Sequence, residues 1–417
     1  MNSVATRKVT VIGAGVVGLA ASVALRRDGH EVTIIDRLPP GEACSFGNSG
    51  AMPRSHAMPM STPGILRKVP GYLLDPLGPL AFRWRHLPTL APWLLAFLRS
   101  STPKRFDHIL TTLTKLMQQS HADWSMLLKD AGMTDRVREN GALSIYRNAE
   151  AREAAWPLWR MLIDRGAKIE RLDEDALRAI EPGLPEGYSC AVLEHDYRHA
   201  TDSHRIPTDL AEHFLRMGGV IRRETVSEIE IGPTGPRALR TNHGEHPLDL
   251  LVVAAGAWSG PFAARLGHRV PLEAARGYHV TFLDPGITRP QHVLFVADMR
   301  LSLTPMERGL RVGGNVEFAG LGTPPDFRRP ARQIENVRRL FPHIRTEPHT
   351  KWSGDRPMMP DSLPVIGRSP IHHNVLYAFG HGQYGLALAA ATGRLVADLA
   401  AERPPVADLS PFRIDRF

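Results

Sequence analysis

KVTVIGAGVVGLAASVALRRDGHEVTIIDR, residues Lys8 to Arg37, decides the fold. A short apolar run, Val9 to Ile12, breaks at Gly13-Ala14-Gly15, an Ala- and Leu-rich helical pattern follows, and a second apolar run, Val32 to Ile35, ends at Asp36. The order is strand, tight turn, helix, strand. Gly13 permits the turn, Gly15 lets a pyrophosphate approach the backbone, and Gly18 lets the helix sit close to the strand. The amides of Val16 and Val17 then meet the phosphates at the positive end of the helix dipole. Asp36, about twenty residues on, is spaced to accept from the ribose hydroxyls of an adenosine half. A bare GxGxxG is weak evidence, but with strand, helix and acidic residue all in place the stretch predicts a Rossmann-like unit holding an ADP-containing dinucleotide.

A chain of 417 residues suffices for two or three domains, and 43% hydrophobic with 23% charged excludes a disordered, fibrous or multi-span membrane chain. Cys44 and Cys190 give neither a disulfide framework nor a metal-ligand spacing, so no metal is expected and a reducing, cytoplasmic setting is. The seven residues before the first strand are too few for a cleavable signal peptide. A formal charge of +8 is spread along the chain without a zinc finger, an RNP motif or a lysine-rich tail, which argues against a nucleic-acid partner.

After the first unit, Pro39 to Pro53 (PPGEACSFGNSGAMP) is a loop of small and hydrogen-bonding residues, in which Ser45, Asn48, Ser49 and Gly50 are candidates to lie along the cofactor. Gly71 to Arg105 interleaves leucines, Trp84 and Trp93 with arginines, and its prolines stop any unbroken 20-residue helix. It cannot span a bilayer. Two readings stand: an interfacial patch on the inner face of the cytoplasmic membrane, or a helical insertion packed on the protein's own core or a second subunit. Helical spacing marks 106–131, 149–165, 173–180, 203–218 and 330–341, and extended segments are expected at 141–146, 188–196 and 219–226. Leu248 to Ser259, LDLLVVAAGAWS, reads as a buried parallel strand whose last residues, Ala255 and Gly256 among them, are small because the cofactor lies against them. Between Val270 and Gly320 strand-like runs alternate with short turns, as in a mostly antiparallel sheet for the substrate.

The last third carries a second signal. Trp352-Ser353-Gly354-Asp355-Arg356-Pro357 leads to a strand at Asn374 to Ala378, a glycine turn through Gly380, His381, Gly382, Gln383, Tyr384 and Gly385, and an Ala-rich helix from Leu386. A second helix start is thus delivered to a ligand. Reduced flavin gathers negative charge at N1 and the C2 carbonyl, where helix-end amides are stabilising.

With Val11-Ile12-Gly13-Ala14-Gly15-Val16-Val17-Gly18, Ser45 to Gly50, Ala254 to Ser259, Arg276-Gly277-Tyr278, Leu310 to Gly314 and Arg356 through Gly385, the chain resembles the D-amino-acid oxidase superfamily of FAD-dependent oxidoreductases, most closely the bacterial D-amino-acid dehydrogenases of the DadA type. The resemblance implies an α/β protein: a Rossmann-like FAD-binding domain from 1–70, 201–268 and 343–417, and a discontinuous α+β substrate domain from 105–200 and 269–342 on a mostly antiparallel sheet, with 71–104 as an apolar, basic insertion. It also implies non-covalent FAD, with Asp36 and Arg37 at the adenosine, Val226 beside the adenine, Gly354 and Gly380 in the flavin segment and Gly382 to Leu386 near the isoalloxazine.

The implied reaction converts a D-amino acid to an imino acid, which water turns into a 2-oxo acid and ammonia; D-proline or a hydroxyproline-like amine would stop at the imine. A substrate carboxylate calls for a bidentate arginine in a dry pocket. Arg356 is the first candidate and resembles the family's carboxylate arginine; Arg276 is the second, with Tyr278 as a hydroxyl donor. His381 is a candidate to accept the amine proton or to hydrogen-bond the flavin. A quinone is the expected acceptor if the 71–104 patch lies on a membrane. The competing readings are an oxygen-using oxidase of sarcosine, glycine or similar secondary amines, an NAD-dependent dehydrogenase and a redox-inert flavin-binding scaffold.

Overall fold

Lys8–Ile12 is central to a six-stranded sheet in the computed structural model, which describes residues 6–65, 78 and 80–417. The strand order is Val220–Arg223, Glu31–Asp36, Lys8–Ile12, Leu250–Val253, Val375–Phe379 and Val365–Arg368. The first five run parallel and the last is an antiparallel edge. Both faces are covered, which is why Val9, Val11, Leu250 and Val252 form near-continuous apolar runs with 1% exposure or less. The helix Val16–Arg27 packs closely: a Cβ on Gly18 would stand 2.0 Å from the Gly13 carbonyl oxygen, and one on Gly13 would stand 2.4 Å from that of Ala254. Two of the three motif glycines are therefore demanded by backbone contact.

The last helix, Gly385–Ala400, crosses the first at Gly393, where a Cβ would meet the Ala20 carbonyl oxygen at 2.6 Å. Its start is clamped by the long helix Pro103–Ala131, from which Trp124 Nε1 and Ser120 Oγ donate to the carbonyls of Leu386 (2.9 Å) and Ala387 (2.6 Å). The two glycine turns thus open toward one space.

The second sheet has ten strands and is mostly antiparallel. Its central strand, Glu273–Phe282, pairs along its full length with His349–Met358. That pairing moves the end of the expected FAD segment 343–417 inward, because residues 349–358 belong to the substrate sheet. The expected strand 219–226 is likewise two strands. Val220–Arg223 completes the parallel sheet, while Val226–Gly232 opens a three-stranded antiparallel meander with Gly235–Thr241 and Gly244–Pro247.

The insertion is anchored. Leu80–Phe82 extends the second sheet beside Val316–Phe318, and Arg83 pairs with Glu317 at 2.8 Å. The helix Leu87–Ser100 buries Leu90 and Trp93 against Ala275, Phe318 and Met358, and Trp93 Nε1 donates to the Met358 carbonyl at 3.1 Å. On the outer side Trp84, in the turn before this helix, is 77% exposed and Leu95 58%. Residues 71–77 and 79, including Leu73, Leu74 and Leu77 of the expected patch, lie outside the described residues. No described helix is long and apolar enough to cross a membrane.

Candidate active site

The two glycine turns line one cavity of about 740 Å³ between the sheets. At the end where the nucleotide is expected are Gly13, Gly15, Val16, Val17, Asp36, Arg37, Val226, Ala255 and Gly256. Asp36 has two tasks: its Oδ2 accepts from the Ala14 amide at 2.7 Å and its Oδ1 from that of Leu38 at 2.9 Å, so it pins the turn while facing the cavity. A carboxylate keeps lone pairs for a ribose hydroxyl after two such bonds. Arg37 lies 4.7 Å over the Trp258 ring. Ser45 Oγ accepts from the Val16 amide at 3.0 Å, and the Asn48 side chain shapes its own loop, donating to the Ser45 carbonyl and accepting from the Gly50 amide. Ser45, Asn48 and Ser49 border the cavity, as do Gly382, Gln383, Tyr384, Gly385 and Leu386 at its other end.

Four expected cofactor residues do not border it: Gly18, Gly50, Gly354 and Gly380. Each is small for a protein contact. A Cβ would meet the Gly13 carbonyl at Gly18, the Ala200 carbonyl at Gly50, the Trp352 ring at Gly354 and the Met359 side chain at Gly380.

The cavity floor follows from strand register, because alternate residues of a strand face opposite sides of a sheet. His279 pairs with Trp352 on one side and Gly313 on the other, Gly313 with Ser302, Ser302 with Phe295, and Phe295 with Ser144. All six border the cavity as one row across six strands. Residues of the other parity, among them Val280, Phe282, Leu294, Leu303 and Val312, form the core beneath the helix Arg328–Leu340.

Parity also separates the two candidate arginines. Arg356 is in register with Ala275, and its guanidinium lies over Gly277, where a Cβ would stand 2.3 Å from Nη2. It borders the cavity, makes one weak bond to the Asn315 carbonyl (3.4 Å) and has no carboxylate partner among the described residues. Burial lowers its pKa, so it gains from an anionic ligand. Arg276 is in register with Asp355, on the opposite face. Its Nε donates to Asp355 Oδ1 at 2.9 Å, it is 4% exposed, and it does not border the cavity. The second choice is therefore a structural ion pair. Tyr278 borders the cavity, but its hydroxyl is engaged by the protein: it donates to Glu317 Oε2 at 2.5 Å and accepts from the Asp326 amide at 2.8 Å. Burial and the Glu317 bond push its pKa up to about 12.

His381 borders the cavity with Nε2 2.9 Å from Thr392 Oγ1. Burial takes its pKa down to about 3, so it is a neutral hydrogen-bonding group with little strength as a base at neutral pH. His279 stacks on Trp352 at 5.0 Å and meets the Gly47 carbonyl through Nδ1; burial, with Arg311 and Arg356 nearby, takes it to about 2.

Two helix starts and an arginine without a carboxylate partner among the described residues, around one cavity, suit a flavin dinucleotide. Residues 8–399 match the family model described as FAD dependent oxidoreductase (DAO). The chain belongs to this family. It is similar to a D-amino-acid oxidase of Bradyrhizobium diazoefficiens, at 36% identity over 99% of both chains, and to a D-amino acid dehydrogenase of Paramagnetospirillum magneticum, at 32% over 98% of this chain and 99% of that one. Among solved structures it is similar to the glycine oxidases of Geobacillus kaustophilus (TM-score 0.75, 20% identity, covering 99% of this chain and all of that one) and Bacillus cereus (0.74, 17%, 99% of both). The protein is an FAD-dependent oxidoreductase. Its residues fit the cofactor: close backbone at Gly13, an open approach at Gly15, Asp36 at the strand end and a second helix start at Gly385.

Sequence reading missed three features of this flavoenzyme's cavity. Arg311 borders it, donating to the Asn48 carbonyl and Ser203 Oγ at 2.6 Å each; burial, against the charge of Asp202, lowers its pKa to about 10. Its signal was a charged residue in phase with Gly313 and out of phase with Leu310 and Val312. His279 with Trp352, and His56 with Glu194, had no local signal, since each pair is made across distant segments.

Proposed function

We propose that this flavoenzyme oxidises D-amino acids at the Cα–N bond and that Arg356 binds the substrate carboxylate. The observation that carries the reading is the Arg356 guanidinium, bordering the cavity without a carboxylate partner among the described residues. A planar fork of donors matches a carboxylate in two parallel bonds, and such bonds are strongest away from water. The family relatives named for D-amino acids support the substrate class.

Bound FAD supplies the two-electron acceptor: the Cα hydrogen leaves as hydride, the nitrogen loses a proton, and the imine is hydrolysed to a 2-oxo acid and ammonia. The chain's own part is positioning. Arg356 fixes the carboxylate, Gly277 leaves room for the guanidinium, and the His279–Trp352 stack covers the floor beside it. His381 and His279, neutral at working pH, act as hydrogen-bonding groups, so the amine proton is released to water.

Electrons then pass to a quinone at a membrane surface. Exposed Trp84 and Leu95, with Arg85 and Arg99 also exposed on the same segment, support that choice, as apolar and cationic side chains together suit an anionic bilayer interface. Anaerobic titration with paired D- and L-amino acids tests the reading: D-enantiomers bleach the flavin absorbance and L-enantiomers do not. Bleaching by glycine or sarcosine alone would replace it with the secondary-amine reading.

A further inference from the structure

The end of the cavity away from the nucleotide is a box of aromatic rings around one polar pair. Trp159 Nε1 donates to the Tyr146 hydroxyl at 2.9 Å, and Tyr197 meets Phe295 edge-on at 5.9 Å between centroids. His56 stands perpendicular to Trp159 at 5.6 Å and lies 6.4 Å from Phe295. All five residues border the cavity. Such ring geometry favours another aromatic group among them.

His56 is held in place. Its Nδ1 lies 2.8 Å from Glu194 Oε1, on a carboxylate side chain only 4% exposed, while Nε2 makes no hydrogen bond among the described residues. Burial disfavours the imidazolium, but the charge and hydrogen bond of Glu194 outweigh it and raise the pKa. Glu194 thus fixes the ring's orientation and leaves Nε2 for a ligand, accepting when the ring is neutral and donating when it is charged. A hydroxyl answers both states.

Distance along the floor sets the size. From Glu273–Phe282, over which the Arg356 guanidinium lies, three steps across Gly309–Gly313 and Leu301–Met306 lead to Val293–Val296, which carries Phe295. At about 4.8 Å per step this is roughly 14 Å. The intervening floor positions are small, Gly313 and Ser302, so the space above them is open. Alanine or proline held by Arg356 stops short of the box, whereas an aromatic side chain enters it.

We propose that this box takes the side chain of an aromatic D-amino acid and that His56 Nε2 hydrogen-bonds a polar atom at that side chain's tip. The inference rests on the reading of Arg356 as the carboxylate anchor, with the Cα between them. It makes His56 a specificity-determining residue and Glu194 the group that positions it.

The test is anaerobic flavin reduction and kcat/KM for D-tyrosine, D-tryptophan, D-phenylalanine, D-alanine and D-proline on the holoenzyme, its His56→Phe and His56→Gln variants and the His56→Phe/Glu194→Gln double variant, which leaves no buried carboxylate unpaired. FAD content and unfolding temperature are followed for each. The wild type is expected to favour D-tyrosine over D-alanine by about 10-fold or more in kcat/KM, and the Phe substitution, alone or in the double variant, to lower the tyrosine-to-phenylalanine ratio by about 10-fold, with partial recovery in the Gln variant. Preference for D-alanine or D-proline, or an unchanged ratio in the variants, overturns the box while leaving D-amino-acid oxidation standing. No bleaching by any member of the panel overturns both.

Discussion

The Arg356 guanidinium lies where a side chain on Gly277 would be, with Nη2 2.3 Å from the position of that Cβ. Two residues 79 apart in sequence thus form one element of the site, a missing side chain and the cation that fills the gap. Gly277→Ala should push the guanidinium off the floor. Because the displaced atoms are the tip of a flexible chain, the fold survives, and kcat/KM for D-amino acids falls by about 100-fold. Stopped-flow reduction with FAD content held equal measures it; a fall of less than threefold would separate Arg356 from the carboxylate.

Arg276 and Arg356 should fail in different ways. Replacing Arg276 by Leu leaves the part-buried Asp355 without its cation, while Glu317 keeps Arg83, a loss of about 1–3 kcal/mol that calorimetry reads as a lower unfolding temperature. Arg356→Lys keeps a charge but loses the fork, so stability holds while kcat/KM drops by about 100-fold. Exchanged phenotypes would reverse the assignment.

Acid should destabilise the protein through its buried histidines. His279 and His381 have folded pKa values near 2 and 3, whereas unfolded histidine titrates near 6.5. Between those limits the unfolded chain binds more protons, so stability falls as pH drops below about 6.5. His56 works in the opposite sense: its raised pKa contributes stability that is complete below about 6.5 and is lost as pH rises through its folded value. Thermal melts from pH 7 to 5 should show a falling midpoint, with a shallower fall in His381→Gln. A flavin-reduction rate whose acid limb vanishes in that variant would restore His381 as a base.

Membrane contact is best tested by point changes. Deleting the insertion would remove the buried Leu90 and Trp93 and the Arg83–Glu317 pair along with the outer surface. Trp84→Asp with Leu95→Asp alters exposed side chains only. The double variant should lose co-sedimentation with anionic vesicles and quinone reductase activity, yet keep dye-linked activity. Unchanged quinone reduction would remove the interface from the mechanism.

Much of this was legible in short stretches. The glycine turn at Gly13, Asp36 at the next strand end, the small residues after Val253 and the second glycine turn at Gly382 all border the cavity, through backbone geometry that a few consecutive residues encode. Long helices were legible to within a few residues for the same local reason, as at Pro103–Ala131. The meander from Val226 was missed because its strands are half-exposed and carry charged residues in place of an apolar run, and the strand His349–Met358 because its partner lies more than 60 residues away.

The cofactor class and the two helix starts that border the cavity could be read from short stretches, because a phosphate or flavin contact is made by the backbone of one turn and constrains its neighbours. Which arginine borders the cavity, and which rings line it, follows only from the packing of distant segments. Arg276 and Arg356 are alike in composition and context, and the antiparallel register alone sends one to Asp355 and the other to the cavity. The aromatic box draws its rings from segments between His56 and Phe295, so no stretch of chain announces it before the sheet has formed.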